Sequence, residues 1–309
     1  MKHFTKKLFL TLFFCAISGG AAAFTISING DEGTVGQNVV SKDCQQANES
    51  SFTSDSGGTF YTDTESYMGG KSLELNIKQG SLGFGSLGGI INFPSCTHTG
   101  GKRLIKGDEI WVRLRIKFPN NFEFNQNGRN KFLRLRTFHL DGIKKVSEGY
   151  NDLYIDGPPG TELGKPGGYA PFQYIFEGAQ KWYRMNSDFF TMGKWNTIEY
   201  YLHLDEKTGP EGGNSMVRVW LNGNLIGETS ERRTLQRADS FIESLYLFTY
   251  WDNDGAHISQ KFWVDDLKIT TDTPLTQDLN GNPFVGLGNP LPCPPPFGLK
   301  DQPKESECK

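Results

Sequence analysis

The sequence of 309 residues lacks the short motifs by which several large enzyme classes are recognised. It contains no phosphate-binding loop, no dinucleotide-binding glycine pattern and no serine nucleophile elbow. Its histidines show no metal-ligand spacing, and no Cys-x-x-Cys pair indicates zinc. The sequence therefore argues against nucleotide-dependent enzymes, serine hydrolases and zinc enzymes, and we predict no cofactor. The Asp265-Asp266 pair could at most contribute to a structural Ca2+ site.

Long hydrophobic runs are also missing, except near the N-terminus. Residues 1–23 begin with lysines, continue with an apolar run over residues 8–17 and end in small residues with the pattern Ala21-x-Ala23. The apolar run is too short for an ordinary transmembrane helix, and the whole pattern is typical of a secretory signal peptide. We therefore expect a secreted or periplasmic protein that is not held in a membrane.

An excess of basic charge is absent as well. The chain has 32 Lys and Arg against 35 Asp and Glu, and removal of the three lysines in residues 1–23 leaves 29 basic residues and a net charge of −6. A mildly acidic chain is not a general binder of nucleic acids or anionic membranes. An anionic ligand would need a local basic patch, and we predict a monomer that binds neither nucleic acid nor membrane.

Four cysteines remain after residue 23, and an even number suggests disulfide bonds in an exported protein. Proximity along the chain favours the pairs Cys44–Cys96 and Cys293–Cys308, although three pairings are possible.

Short alternating runs of apolar and polar residues are what the sequence does contain, together with 37 glycines and 13% aromatic residues. This pattern is typical of an all-β sandwich or barrel. We predict one all-β domain over residues 24–275 and a Pro- and Gly-rich tail over residues 276–309. The predicted strands cover residues 71–78, 108–118, 131–139, 151–156, 172–178, 195–205, 216–222, 244–251 and 261–270.

The segment RNKFLRLR, residues 129–136, concentrates four basic residues in this acidic chain. Strand alternation places Leu133 and Leu135 on one face and Arg134 and Arg136 on the other. Arginines bind carboxylates through two-point contacts, and aromatic rings can stack on sugars. We therefore expect a concave sheet that binds an acidic polysaccharide. The alternative is a solvated convex sheet on which the arginines pair with neighbouring acids.

The segment MVRVWLNGNLIGE, residues 216–228, predicts two short strands joined at Asn-Gly. Arg218 and Trp220 would then lie opposite Val217 and Val219. Their residue types suit the wall of a sugar-binding groove, but alternation alone leaves open which sheet carries them.

Several segments occur in a familiar order: KGDEIWVRLRIKFP, then GRNKFLRLR, GKWNTIEYYLHL, RVWLNG and finally FWVDDLKIT. This order resembles that of the secreted polysaccharide lyases with a concanavalin A-like jelly roll, of the alginate and glucuronan lyase type. The resemblance covers about residues 55–271. It implies an all-β, concanavalin A-like jelly-roll sandwich of two antiparallel sheets and a lyase that cleaves uronate polymers by β-elimination.

The resemblance also implies positions for the site. It places a lysine at Lys131, followed by a Ser-x-Arg segment and a Tyr-x-Tyr segment. The chain departs from this pattern, because Asp152 and Tyr154 stand near the expected Ser and Arg. In place of the two tyrosines it has either Phe172 and Tyr174 or Gln173 and Ile175.

A lyase of this type neutralises a carboxylate, removes the neighbouring proton and protonates the leaving oxygen. Arginine, lysine and glutamine suit the first task, while tyrosine and histidine suit the others. Lys131 has the parity of Leu133, so it would need a bulge or a place at the strand mouth. The candidate catalytic residues are Lys131, Arg134, Arg136, His139, Tyr154, Gln173 and Tyr174. The candidate substrate-binding residues are Glu177, Glu199, Tyr201, His203 and Tyr250.

Three other functions remain open at this point. A lectin-like protein could use the same fold to bind a glycan without cleaving it. A glycosidase would need two carboxylates at a defined separation, for which Glu177 and Glu199 are the candidates. A structural envelope protein would use the sandwich only as a spacer.

Overall fold

The computed structural model describes residues 23–39, 58–81, 88–96, 102–124, 130–157, 170–185, 187–207, 213–230, 233–251 and 255–288. Most of the predicted signal peptide and the last residues of the tail lie outside these ranges, as do Cys44, Cys293 and Cys308. Cys96 is buried, and both predicted disulfide pairs stay predictions. Within the described ranges, no helix has the length and apolar character needed to cross a membrane.

The described residues form two antiparallel sheets, which confirms the predicted all-β jelly-roll sandwich. The eight-stranded sheet has the order β12-β11-β10-β5-β14-β3-β2, with β1 paired to β14. Its strands are β1 (Thr25–Ile28), β2 (Thr59–Thr62), β3 (Ser72–Ile77), β5 (Glu109–Lys117), β10 (Trp195–His203), β11 (Met216–Leu221), β12 (Asn224–Thr229) and β14 (Gln260–Thr270).

The six-stranded sheet has the order β4-β13-β6-β7-β8-β9. Its strands are β4 (Gly89–Asn92), β6 (Asn130–Asp141), β7 (Lys144–Ile155), β8 (Phe172–Phe176), β9 (Lys181–Met185) and β13 (Phe241–Trp251). All nine predicted strands are present. The strands missing from the prediction, β1, β2, β4 and β9, have only four or five residues each, too few for alternation to stand out.

The core lies between the two sheets and is built by alternate residues of each strand. In β6 these are Leu133 and Leu135, and in β11 they are Val217 and Val219; all four are fully buried. Tyr174 of β8 belongs to the same core cluster. Each sheet therefore turns one face inward and keeps an outer face, and the outer faces differ from each other.

The predicted hairpin over residues 216–228 is confirmed. It turns at Asn222 and Gly223, whose φ angles of 50° and 82° suit the Asn-Gly pair. Trp220 and Arg218 lie on the outer face of the eight-stranded sheet, which answers the question that alternation left open. Arg218 pairs there with Glu228 at 2.6 Å.

The start of the predicted tail crosses this same outer face. We call residues 276–288 the tail strap. Its Phe284 stacks on Trp220 with ring centroids 5.7 Å apart, and Trp111 donates its indole N–H to the carbonyl of Pro283 at 3.1 Å. Trp220 donates to Asp278 at 2.8 Å. The aromatic residues of this face thus form a second small core together with the tail strap.

Candidate functional site

A bulge in β6 decides where Lys131 points. Lys131 pairs with Tyr154, whereas Leu133 pairs with Leu153, so the register shifts at Phe132. The extra residue lets Leu133 face the core while Lys131 faces outward. The ammonium group of Lys131 lies 5.7 Å from the centre of the Tyr154 ring. The bulge required by the sequence argument is therefore present.

A row of polar side chains crosses four adjacent strands of the six-stranded sheet on its outer face. Lys131 of β6 is in register with Tyr154 of β7, Tyr154 with Gln173 of β8, and Gln173 with Arg184 of β9. Side chains in such cross-strand register stand about 4.5–5.5 Å apart at Cβ. We call these four residues the cross-strand row. It brings a lysine, a phenol, an amide and an arginine together on one surface.

Arg134 lies next to this row and is held by two carboxylates. Its Nε donates to Oδ1 of Asp152 at 2.8 Å, and its Nη2 donates to Oε1 of Glu177 at 3.0 Å. The guanidinium also lies 3.7 Å from the centre of the Tyr150 ring. Glu177 reaches Lys131 as well, with 3.5 Å between Oε1 and Nζ. Both cations of this part of the site therefore share one carboxylate.

Burial and charge pairing oppose each other around Arg134. It raises the pKa of Asp152 to about 7, against the opposing influence of the Arg134 charge. Oδ2 of Asp152 has no hydrogen-bond partner among the described residues, which agrees with a poorly solvated carboxyl group. Burial lowers the pKa of Arg134, but Asp152 and Glu177 outweigh it, so the pKa is raised and the guanidinium stays charged.

Gln173 is anchored beside the row by a further buried acid. Its amide nitrogen donates to Oδ2 of Asp156, and both residues are almost fully buried. This contact fixes the amide orientation and leaves the Gln173 carbonyl oxygen on the other side of the group. The Tyr154 ring packs against Trp182 at 5.4 Å between centroids, so the row has an aromatic neighbour on β9.

Arg136 lies two residues further along β6 and belongs to a more exposed aromatic group. It donates to the hydroxyl of Tyr246 at 2.6 Å, and Tyr246 meets Tyr150 edge to face at 5.3 Å. Both Arg136 and Tyr150 are half-buried. An arginine framed by tyrosines on this face has the composition expected for contact with a charged sugar.

His139 does not join the other candidates. It stands five residues beyond Arg134, roughly 16 Å along the strand. There its Nδ1 lies 3.0 Å from Oε1 of Glu148, and Glu148 also contacts Arg237 and Ser240. His139 was predicted as a candidate acid or base. This prediction is corrected, because His139 lies too far along β6 to act beside the cross-strand row.

The predicted role of Tyr174 also needs correction. Tyr174 pairs with Leu153, which faces the core, and its hydroxyl donates to Oδ1 of Asn151 at 2.6 Å inside the sandwich. The departure from a Tyr-x-Tyr pattern thus leaves Gln173 and Ile175 on the outer face instead. Tyr250 is in register with Lys131, but its side chain lies outside the described part of the chain.

Three predicted substrate-binding residues lie on the wrong sheet for this site. Glu199, Tyr201 and His203 share the outer face of the eight-stranded sheet. The tail strap covers the first two: the Glu199 carboxylate accepts the backbone N–H groups of Val285 and Gly286 at 2.6 and 3.0 Å. Alternation correctly predicted that these three residues lie opposite the core. It could not predict which sheet carries them, because that depends on the pairing of strands far apart in the sequence.

The same finding removes the predicted glycosidase pair. Glu177 belongs to the six-stranded sheet and Glu199 to the other one, so the core separates them. Two carboxylates on opposite outer faces of a sandwich cannot act on one glycosidic bond.

The Asp265-Asp266 pair has structural contacts. The carboxylate of Asp265 accepts backbone N–H groups from Gly30, Tyr67 and Asp266, and Asp266 pairs with Arg113. Burial raises the pKa of Asp265 to about 6 although these hydrogen bonds oppose the shift. Among the described residues, no group of three or more His, Cys, Asp or Glu is arranged to hold a metal ion.

Sequence reasoning missed several residues of the outer face around the row. Arg184 and Trp182 escaped because β9 is short and was not predicted. Tyr150 lies in a part of β7 that precedes the predicted strand. Asp156, the last residue of the predicted strand, already had the parity of Asp152 and Tyr154 but was not singled out, and alternation along a longer predicted strand would have placed Tyr150 on the same face.

The site as a whole offers a defined chemistry. Positive and hydrogen-bonding groups from Lys131, Gln173 and Arg184 share one face of the sheet with the Tyr154 phenol. Such groups can bind and neutralise a carboxylate while a phenol transfers a proton.

Comparisons with known proteins give matches at the level of structure alone. No model of a known protein family matches the sequence, and no curated protein matches it. The alginate lyase Aly36B superposes with a TM-score of 0.51 and 15% identity, over 79% of this chain and 96% of that one. A mutant of the same lyase in complex with an alginate tetrasaccharide gives a TM-score of 0.50 and 13% identity, over 79% and 96%.

A fungal endo-β-1,4-glucuronan lyase from Trichoderma reesei is also similar, with a TM-score of 0.48 and 11% identity, over 80% of this chain and 94% of that one. At these levels of identity, the likeness to Aly36B shows a shared fold. The chain has the fold of this polysaccharide lyase, as the order of its segments predicted.

Proposed function

We propose that the protein is an exported polysaccharide lyase that cleaves a uronate-containing glycan by β-elimination. The observation that carries the proposal is the cross-strand row, in which Lys131, Tyr154 and Gln173 stand side by side on one face. The fold that the chain shares with an alginate lyase is a second, independent observation in support of the proposal.

The reaction needs a partner for the uronate carboxylate. Lys131 and Arg184 supply positive charge, and the Gln173 amide supplies hydrogen bonding within the same row. Neutralising the carboxylate acidifies the C–H bond at the neighbouring carbon. This is the step for which a site rich in cations is most useful.

Tyr154 is the proton carrier in this proposal. As a phenolate it takes the proton from C5, the C–H electron pair forms the C4=C5 double bond, and the C4–O bond breaks. The Tyr154 hydroxyl then gives its proton to the leaving oxygen, so that one residue serves as base and acid. The ammonium of Lys131, 5.7 Å from the ring centre, would stabilise the phenolate.

A non-catalytic lectin is the second candidate, and one observation favours it. Arg134 is bound by Asp152 and Glu177, and Lys131 is paired with Glu177. Cations that are already neutralised contribute less to the stabilisation of a developing charge. A lectin with this surface would retain the glycan and release no product.

An assay of the unsaturated product separates these two functions. The protein without residues 1–23 would be incubated with alginate, polyglucuronate and a heparin-type chain, while ultraviolet absorbance follows the new double bond. We expect a rise with at least one polymer and a loss of about 10²–10³-fold in turnover for Lys131→Ala.

Lys261→Ala is the matched control, because Lys261 pairs with Glu74 on the eight-stranded sheet. It should leave turnover unchanged. Retention of a polymer without any absorbance change would support the lectin, and neither retention nor product would contradict both candidates.

A further inference from the structure

Glu177 holds an unusual position in the candidate site. It follows β8 in the turn that leads into β9, and its backbone N–H bonds to the carbonyl of Tyr150 at 2.9 Å. One oxygen of its carboxylate lies 3.0 Å from Nη2 of Arg134 and 3.5 Å from Nζ of Lys131. A single carboxylate oxygen therefore bridges Lys131 and Arg134.

The three side chains of this bridge differ in their access to solvent. The exposed fraction of the side chain is 26% for Glu177, against 3% for Arg134 and 10% for Lys131. Glu177 is thus the most solvent-accessible member of the bridge, and its carboxylate is the anionic partner that Lys131 and Arg134 share.

Two described contacts of Arg134 do not involve Glu177. Its Nε stays bound to the buried Asp152 at 2.8 Å, and its guanidinium stays stacked on Tyr150 at 3.7 Å. Arg134 would therefore keep these two contacts if Glu177 moved away, and its Nη2 would lose the Glu177 carboxylate as a partner. A glutamate side chain in a turn can leave by rotation about its own bonds, without movement of a strand.

We propose that Glu177 occupies the place of a substrate carboxylate, and that a uronate sugar binds by displacing it from Arg134 and Lys131. The inference rests on the proposed uronate substrate and assigns to Glu177 a role opposite to direct sugar binding. Glu177 keeps the two buried cations paired in the empty site. It also makes every uronate compete with an internal carboxylate, which lowers affinity and selects ligands that carry a carboxylate of their own.

Charge removal at Glu177 tests this competition. Glu177→Gln keeps the shape of the side chain and abolishes its negative charge. The probes are oligosaccharides of alginate and of polyglucuronate, with a neutral β-glucan oligosaccharide of equal length, and binding is measured by calorimetry at low and at physiological ionic strength. Glu177→Ala is measured in parallel, and thermal unfolding of each variant shows that it is folded.

We expect Glu177→Gln and Glu177→Ala to bind the uronate oligosaccharides about tenfold more tightly than the unaltered protein, a change of about 1.4 kcal/mol. The gain should be larger at low ionic strength. The neutral oligosaccharide should show no change. Glu228→Gln is the control for net charge, because Glu228 pairs with Arg218 on the other sheet, and it should alter neither affinity.

Equal or weaker uronate binding by both folded Glu177 variants would overturn the inference. If the unaltered protein still released unsaturated product, the proposed function would survive that result. Absence of uronate binding and of product in every variant would overturn both. A tenfold gain in uronate affinity that appears equally in Glu228→Gln would be explained by the change in net charge alone. It would therefore also contradict a specific role of Glu177.

Discussion

The two outer faces of the sandwich have similar residue compositions but make different contacts. The face of the eight-stranded sheet carries Trp111, Tyr201 and Trp220, and the tail strap lies on it. The face of the six-stranded sheet carries Lys131, Arg134 and a set of tyrosines, whose described contacts come mostly from side chains of the same face. Aromatic and cationic residues on a strand therefore indicate either a ligand or another segment of the same chain.

The kind of partner distinguishes the faces. On the eight-stranded sheet, main-chain groups of the tail strap are the hydrogen-bond partners of Trp111 and Glu199. On the six-stranded sheet, the partner of Lys131 and of one Arg134 nitrogen is the side chain of Glu177. A side chain can exchange with a ligand more easily than a docked backbone can, so the second face is suited to binding.

The largest expected effect comes from removing one hydroxyl on each face. Tyr154 and Tyr201 are buried to almost the same extent, at 3% and 4% exposure. Tyr154→Phe should lower turnover on the uronate polymer by about 10²–10⁴-fold, because the proposed proton carrier is lost. Tyr201→Phe removes a hydroxyl that donates to Glu109 and should cost about 1 kcal/mol of stability with turnover unchanged.

Steady-state kinetics and chemical denaturation of both variants check this pair. Equal losses of turnover would erase the functional difference between the faces. Full activity in Tyr154→Phe would remove Tyr154 from the chemistry.

The tail strap gives the next effect, on stability. Phe284 is 7% exposed and stacks on Trp220, so Phe284→Ala should lower the free energy of unfolding by about 3 kcal/mol. Turnover per folded molecule should not change, since the opposite sheet carries the site. Leu279→Ala is the matched control in the same strap, because Leu279 is 103% exposed and packs against little.

Denaturant titration measures both changes. A drop in turnover at full folding for Phe284→Ala would show that the eight-stranded face contributes to activity after all. A cost equal to that of Leu279→Ala would show that the stack is energetically neutral.

The strands and their faces could be read from the sequence because both depend on neighbours along the chain. Leu133 and Leu135 face the core, as alternation predicted, and Arg134 and Arg136 face outward with Tyr154 and Gln173. The bulge at Phe132 could be anticipated as well, since Lys131 otherwise has the parity of the core. The fold class needed only these local signals and the order of the segments.

The assignment of faces to sheets could not be read in this way. Tyr201 and Arg134 both lie opposite core residues of their strands, and nothing local distinguishes them. The pairing of β10 with β5 and of β6 with β13 joins residues far apart in sequence. The docking of the tail strap is equally remote, because a Pro- and Gly-rich segment carries no alternation that would reveal a partner sheet.

The two faces can also be compared by the pH dependence of stability. On the eight-stranded sheet, Glu199 binds the tail strap and is the group expected to titrate. Burial raises the pKa of Glu199 to about 7, although the N–H groups of Val285 and Gly286 oppose the shift. A raised carboxyl pKa means that the folded state binds the proton more tightly than the unfolded chain does. Stability from this group is therefore gained as pH falls from about 7 towards the unfolded pKa, by up to about 1.4 kcal/mol per pH unit.

Glu199→Gln removes this titration and leaves that of Asp152 on the other face, whose pKa is also raised to about 7. Denaturant titrations between pH 5 and pH 8 should therefore show a shallower pH slope in Glu199→Gln than in the unaltered protein, but a slope that is not zero. Identical slopes would mean that Glu199 is already charged when the tail strap docks. The two backbone N–H groups would then outweigh burial, and the strap would be held by a fully ionised carboxylate.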